Sequence, residues 1–172
     1  MRTSPDLTRM HDFSPTPILR KVTMRVLALG HVVLKVRDLE RAIAFYSGVL
    51  GLKPVAQGTF GGRRMVFYSF ASNHHDLALA EVGPQALIPA ENGTGLAHVA
   101  LKVGDTLDQL RAVRSHLQSH QVTIDRTVDH RVAHSLYVRD PDENRIELYV
   151  DGDPALWRED PATVAHSEPF VL

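Results

Sequence analysis

LGHVVLKVRD at residues 29–38 returns as LAHVALKVGD at residues 96–105, with seven of the ten positions identical and a histidine third in each copy, His31 and His98. A phrase repeated at a fixed offset marks one supersecondary unit used twice. Both copies alternate as strands do. Val32, Leu34 and Val36 fall on one side and His31, Val33 and Lys35 on the other; in the second copy Val99, Leu101 and Val103 oppose His98, Ala100 and Lys102. The two histidines therefore occupy equivalent points on the polar side of equivalent strands.

Reading outward, residues 25–36 are expected to form a strand. Asp38 is suited to cap the following helix, with Glu40 in its first turn. Ala42, Ile43, Phe45, Tyr46, Val49 and Leu50 have helical spacing, and Gly51 is placed to end the helix. A short strand in GLKPVAQG, a turn at FGGRR, and strands over 64–70 and 75–82 complete a βαβββ module, followed by a linker at 83–95. The second module repeats the plan. It has a strand at 96–103, a helix capped by Asp105 or Thr106 with Leu107, Leu110, Val113 and Leu117 as its stripe, and strands near 122–128, 134–138 and 145–150. DPDEN at 140–144 reads as a hairpin turn, with Asn144 suited to a left-handed conformation.

The expected fold class is α+β: two βαβββ modules, residues 25–83 and 96–151, side by side in one domain and forming a curved mixed sheet around a metal-binding cleft. Residues 1–24 are expected to be a flexible extension. Residues 152–172 are expected to be a tail with one short helix near 154–158, docked through Leu156 and Trp157.

Composition narrows the function. With 44% hydrophobic and 23% charged residues and a net charge of -1, the chain is an ordinary globular sequence without a nucleic-acid footprint. No apolar run is long enough to span a bilayer. Residues 1–23 lack the apolar core of a secretory signal, so a cytoplasmic location is expected. Cysteine is absent, which removes disulfides, thiolate metal sites and cysteine nucleophiles.

The last strand carries the third polar clue. In Arg145-Ile146-Glu147-Leu148-Tyr149, Glu147 lies between apolar neighbours, where an ionised carboxylate is costly unless paired or metal-bound. If the modules enclose a cleft, His31, His98 and Glu147 line it from three strands. Two imidazoles and one carboxylate are the donor set that suits non-haem Fe(II) and leaves coordination positions open, and the same donors serve Mn(II).

The paired LxHVxLKVxD phrases and the DPDxNxIEL ending resemble the vicinal oxygen chelate superfamily over roughly residues 26–151. Within it, the chain is similar to single-domain type I extradiol ring-cleavage dioxygenases. The resemblance implies that His31, His98 and Glu147 are the metal ligands. It also implies that His75, from SNHHDLAL, is the acid–base, that Tyr137 contacts substrate oxygen, and that His130 stands near the substrate. The implied partners are a catechol-type substrate and dioxygen, with no nucleic acid or membrane, and a homodimer or higher homo-oligomer.

Each residue also has a structural reading. The strand histidines can be hydrogen-bonded scaffold residues, Glu147 can pair with Lys35 or Lys102, His74 can take the part of His75, and the Tyr137 hydroxyl can simply be satisfied in the core. His134 competes with His130. His116 and His120 have the spacing of a helical metal pair but lack the glutamate that would follow, so a solvated helix face is expected. His11 and His166 receive no role. Two other functions remain open at this point. One is a glyoxalase- or epimerase-type lyase or isomerase with a fourth ligand near Ala78 or Glu81; the other is a non-enzymatic drug-binding protein.

Overall fold

The computed structural model describes residues 24–172 apart from Ser72; the expected extension over residues 1–23, with His11, lies outside them. The repeated phrases form strands shorter than their alternation suggests: β1 is Val32–Val36 and β5 is Val99–Gly104. His31 and His98 each stand one residue before their strand, so each histidine enters from the end of a sheet.

After β1, Asp38 accepts a hydrogen bond from the Arg41 amide and caps α1, Leu39–Ile43. The helix continues as a π-helical segment, Ala44–Val49, and ends before Gly51 at φ +74. β2 (Pro54–Phe60), β3 (Arg63–Tyr68) and β4 (Leu77–Glu81) complete the first module. In the second, Thr106 and Gln109 form a reciprocal capping box on α2, Leu107–Ser119. β6 (Ile124–Asp129), β7 (Ala133–Arg139) and β8 (Arg145–Asp151) complete it.

The two βαβββ units are present as two mixed sheets. Their strand orders are β1-β4-β3-β2 and β5-β8-β7-β6, the latter extended by a further strand, β9 (Glu168–Pro169). In each sheet the first strand runs parallel to the last strand of its module, and the remaining pairs are antiparallel. The duplication extends to irregularities. The ladder slips between Pro54 and Ala56 in one module and between Ile124 and Arg126 in the other.

One face of each sheet is covered by its helix. Leu34, Val36, Leu79 and Val66 are buried with Leu39, Ala42 and Tyr46; Leu101, Leu136 and Leu148 are buried with Leu110 and Leu117. Each such leucine contributes about 1.5–3 kcal/mol of apolar transfer free energy.

The DPDEN stretch does more than turn a hairpin: it joins the modules. Asp140 accepts from the amides of Asp142 and Asn144 and from the Tyr46 hydroxyl at 3.0 Å. Asp142 receives the Arg37 and Arg41 side chains at 2.8 and 2.6 Å. Burial pushes the Asp140 carboxyl and the Tyr46 hydroxyl above their ordinary ranges. The left-handed residue in this turn is Glu143, at φ +66, rather than Asn144, whose side chain is engaged with Asp140.

The tail also differs from expectation. Its helix α3, Pro154–Glu159, leaves Leu156 and Trp157 exposed. Phe170 and Leu172 pack against the core instead, beyond a 3₁₀ turn at Pro161–Ala165 and the strand β9. Among the described residues, no helix is long and apolar enough to cross a membrane.

Candidate metal and substrate site

The polar face of the second sheet collects five side chains around Glu147 and its neighbouring strands. Glu147 is 7% exposed on β8 and opposes Tyr137 across the β7–β8 ladder. His98, just ahead of β5, places Nε2 2.9 Å from Glu147 Oε2. Ser135, two residues from Tyr137 and therefore on the same face, donates to Glu147 Oε1 at 2.6 Å. His130, just beyond the end of β6, has Nε2 3.0 Å from the Tyr137 hydroxyl and 3.8 Å from Glu147 Oε1. Arg126, opposite Tyr137 in the β6–β7 ladder, stacks its guanidinium 4.4 Å from the tyrosine ring centroid.

Desolvation and the Glu147 charge push the Tyr137 phenol up to about 12, so it remains a donor at neutral pH. Lys102 does not pair with Glu147; its ammonium lies between Asp105 and Asp151. Lys35 is not among the partners of Glu147 either, and the carboxylate is left facing imidazole and hydroxyl groups.

The first sheet holds a different cluster. The His31 and His75 rings are 4.3 Å apart between centroids, and Phe67 meets His75 edge-on at 5.2 Å. Phe60 stacks edge-on against Phe67, also at 5.2 Å. His74 Nδ1 is 2.6 Å from His75 Nδ1. Asn73 donates to the Gly30 carbonyl at 2.8 Å, which ties this histidine-bearing loop to the approach of β1. Desolvation, together with the neighbouring imidazoles of His31 and His74, holds His75 below the usual imidazole range.

The six sequence-derived site residues thus fall into two groups: His31 with His75, and His98 with Glu147, Tyr137 and His130. Among the described residues, no three His, Asp or Glu side chains stand close enough to hold one metal ion. The donor chemistry of the second group nonetheless fits one. Two ligands each about 2.1 Å from an ion and at right angles stand about 3 Å apart, close to the His98–Glu147 separation. The serine bond to the other carboxylate oxygen is the kind of support that orients a ligating carboxylate.

Sequence reasoning misses Ser135 and Arg126. Alternation with Tyr137 is the available signal for Ser135, whereas Arg126 is placed only by the β6–β7 register, which sets it opposite Tyr137. His116 and His120 are not a metal pair: His116 Nε2 meets the Val49 carbonyl at 2.8 Å, a link between modules, and His120 Nδ1 turns back to its own helix. His134 lies beside Asp129 and Phe170, away from Tyr137. Glu81 accepts the Leu39 amide at 3.0 Å and pairs with Arg64, and Ala78 has no donor atom to offer as a fourth ligand.

The glyoxalase/bleomycin resistance protein/dioxygenase superfamily model matches residues 28–148, both histidine phrases and the glutamate strand included. The chain belongs to this superfamily. It is 32% identical over 139 residues to a catechol-2,3-dioxygenase of Bacillus subtilis (strain 168), covering 77% of this chain and 44% of that protein. It is 33% identical over 122 residues to biphenyl-2,3-diol 1,2-dioxygenase 2 of Rhodococcus globerulus, covering 71% of this chain and 62% of that protein. The chain thus spans about half the length of these curated relatives. Among solved structures, a glyoxylase/bleomycin resistance protein/dioxygenase domain from Frankia sp. EAN1pec superposes with a TM-score of 0.63 at 20% identity, over 74% of this chain and 99% of that one. This structural likeness concerns the fold.

Proposed function

We propose that this protein is an Fe(II)-dependent extradiol dioxygenase that cleaves a catechol-type ring with dioxygen, Mn(II) being the alternative metal. The observation that carries this reading is the His98–Glu147 pair supported by Ser135 and faced by Tyr137 and His130, in a chain whose relatives include ring-diol dioxygenases.

The ligands would be His31, His98 and Glu147, with His31 supplied by a second copy of the chain. Three features support a homodimer. Among the described residues, β1 and β5 each pair on one side only. The segment leading into β1 exposes Val26, Leu27 and Leu29 at 77%, 84% and 82%, and Leu96 before β5 is also exposed. The two ligand groups are separate within one chain. Unpaired edges carrying apolar side chains are templates for strand addition, and a twofold arrangement would use each edge twice.

Bound Fe(II) would supply the redox path between ring and dioxygen, which is why ring cleavage of this type needs no separate reductant. The protein's own contributions derive from position. His75 would take a hydroxyl proton from the substrate and return it as the ring opens. Tyr137, its single hydroxyl proton directed to His130 Nε2, would accept a hydrogen bond from a substrate hydroxyl. Phe60 and Phe67 would form the wall against the ring. Such a reaction fits a role in aromatic-compound breakdown inside the cell.

The test is anaerobic reconstitution with Fe(II), then oxygen and a panel of catechols. A coloured ring-fission product with uptake of one dioxygen per ring is expected. A metal-loaded protein that consumes no oxygen with any catechol would sink the proposal.

A further inference from the structure

We propose that the C-terminal strand β9 is a positioning element of the site, holding His130 in its Nδ1–H tautomer so that Nε2 accepts from Tyr137. This strand lies beyond residue 148, where the superfamily match ends.

The contact is direct. His130 Nδ1 lies 2.8 Å from the backbone carbonyl of His166, and a carbonyl only accepts. The proton must then be on Nδ1 in the neutral ring, which leaves Nε2 a lone pair aimed at the Tyr137 hydroxyl 3.0 Å away. The last six residues of the chain hold that carbonyl in place. Glu168 and Pro169 pair with Asp129 and Val128 on β6. The Thr127 hydroxyl donates to the Phe170 carbonyl, and the Arg114 guanidinium holds the Leu172 backbone oxygen. Phe170 stacks on His134 at 5.3 Å, and Phe170 and Leu172 pack against the core.

The twofold scaffold shows why one module has this strand and the other does not. By ladder position, β2 of the first module corresponds to β6 of the second, yet among the described residues the outer edge of β2 is unpaired. The residue matching His130 there is Phe60, at the same place in its hairpin. A phenyl ring needs no partner to fix a proton; an imidazole does. The extra strand covers the edge where a ring nitrogen requires an acceptor. His166 is therefore a positioning residue acting through its backbone.

The tautomer follows from the hydrogen-bond geometry alone; its consequence for catalysis rests on the dioxygenase reading. The test compares the full metal-free chain with one ending at Ala165, reading His130 in long-range ¹H–¹⁵N spectra at about pH 8, where an ordinary imidazole is neutral. The His130→Gln spectrum assigns the signal. The full chain is expected to show Nδ1–H and the shortened chain mainly Nε2–H, the form a free imidazole prefers. Nε2–H in the full chain, or Nδ1–H retained in a folded shortened chain, would overturn the proposal.

Should the shortened chain fail to fold, Phe170→Ala decides. A raised Nε2–H fraction supports the assignment, and an unchanged tautomer refutes it. With a catechol that turns over, Phe170→Ala is expected to lower kcat about 10- to 100-fold while Fe(II) binding is unchanged. Loss of Fe(II) binding in its place would mean that the strand acts on the fold and not on His130. A full chain that cleaves no ring would end the dioxygenase reading and leave the tautomer result standing.

Discussion

The two sheets share one ladder but differ at most positions on the face turned away from the helices. By register, Glu147 corresponds to Ala78, Tyr137 to Phe67, Ser135 to Met65 and Arg126 to Ala56, while His98 keeps its counterpart in His31. His130 and Tyr137 form a polar ring pair where Phe60 and Phe67 form an apolar one. On the proposed reading, the first module would supply an aromatic wall with His31 and His75, and the second would supply His98 and Glu147. Duplication fixes backbone geometry through buried leucines. It leaves the opposite face of each strand free to diverge, because those positions do not decide whether the sheet packs on its helix.

This division can be broken experimentally, most forcefully at Glu147. Glu147→Gln should abolish metal-dependent turnover, by at least about a thousandfold, the several kcal/mol that a bound metal contributes. Retained Fe(II) stoichiometry and turnover in a metal titration would place the ligand elsewhere.

The buried face should behave symmetrically. Leu79 and Leu148 occupy the same ladder position and are both buried, at 0% and 2% exposure. Leu79→Ala and Leu148→Ala should each lower unfolding free energy by about 2–5 kcal/mol in urea titrations. A loss confined to one module would mean that the halves do not share a single cooperative core.

A smaller effect is expected from making the polar module resemble its partner. Tyr137→Phe recreates the Phe67 arrangement and should reduce kcat about a hundredfold with little change in Fe(II) affinity, measured by steady-state kinetics alongside metal titration. Equal losses in kcat and metal binding would assign the hydroxyl to holding Glu147.

The mildest signal sharpens the comparison most. His31→Ala and His98→Ala should each be inactive. Unfolded together and refolded as a mixture, they should recover about a quarter of wild-type activity. Half of the randomly formed dimers are mixed, and one of their two sites is then intact. No recovery from a well-folded mixture would place all three ligands in one chain.

Much of the fold is legible because it rests on local pattern. Asp38 and Thr106 declare the helix starts, and alternation separates core from polar positions. Glu147 stands out as a carboxylate among apolar neighbours. Other features are not legible because they depend on residues distant in the chain. Ser135 matters only because β7 lies beside β8, and Arg126 reaches Tyr137 only because the β6–β7 register sets the two opposite each other. Asp140 and Asp142 read as turn residues, yet they bind Tyr46, Arg37 and Arg41 from the far end of the other module. Leu156 and Trp157 suggest a docking helix by hydrophobicity alone, whereas the edge of β6 selects Phe170 and Leu172.

The sequence by itself determined that one βαβββ unit was used twice, and which residues carry imidazole and carboxylate chemistry, since repeats and strand periodicity are local. Only the tertiary structure decided their grouping. It set His31 beside His75 and His98 beside Glu147, left the β1 and β5 edges without a partner among the described residues, and laid the tail against β6. Those outcomes depend on which edges find partners and which ring nitrogens find acceptors, and that is settled by packing among segments far apart in the chain.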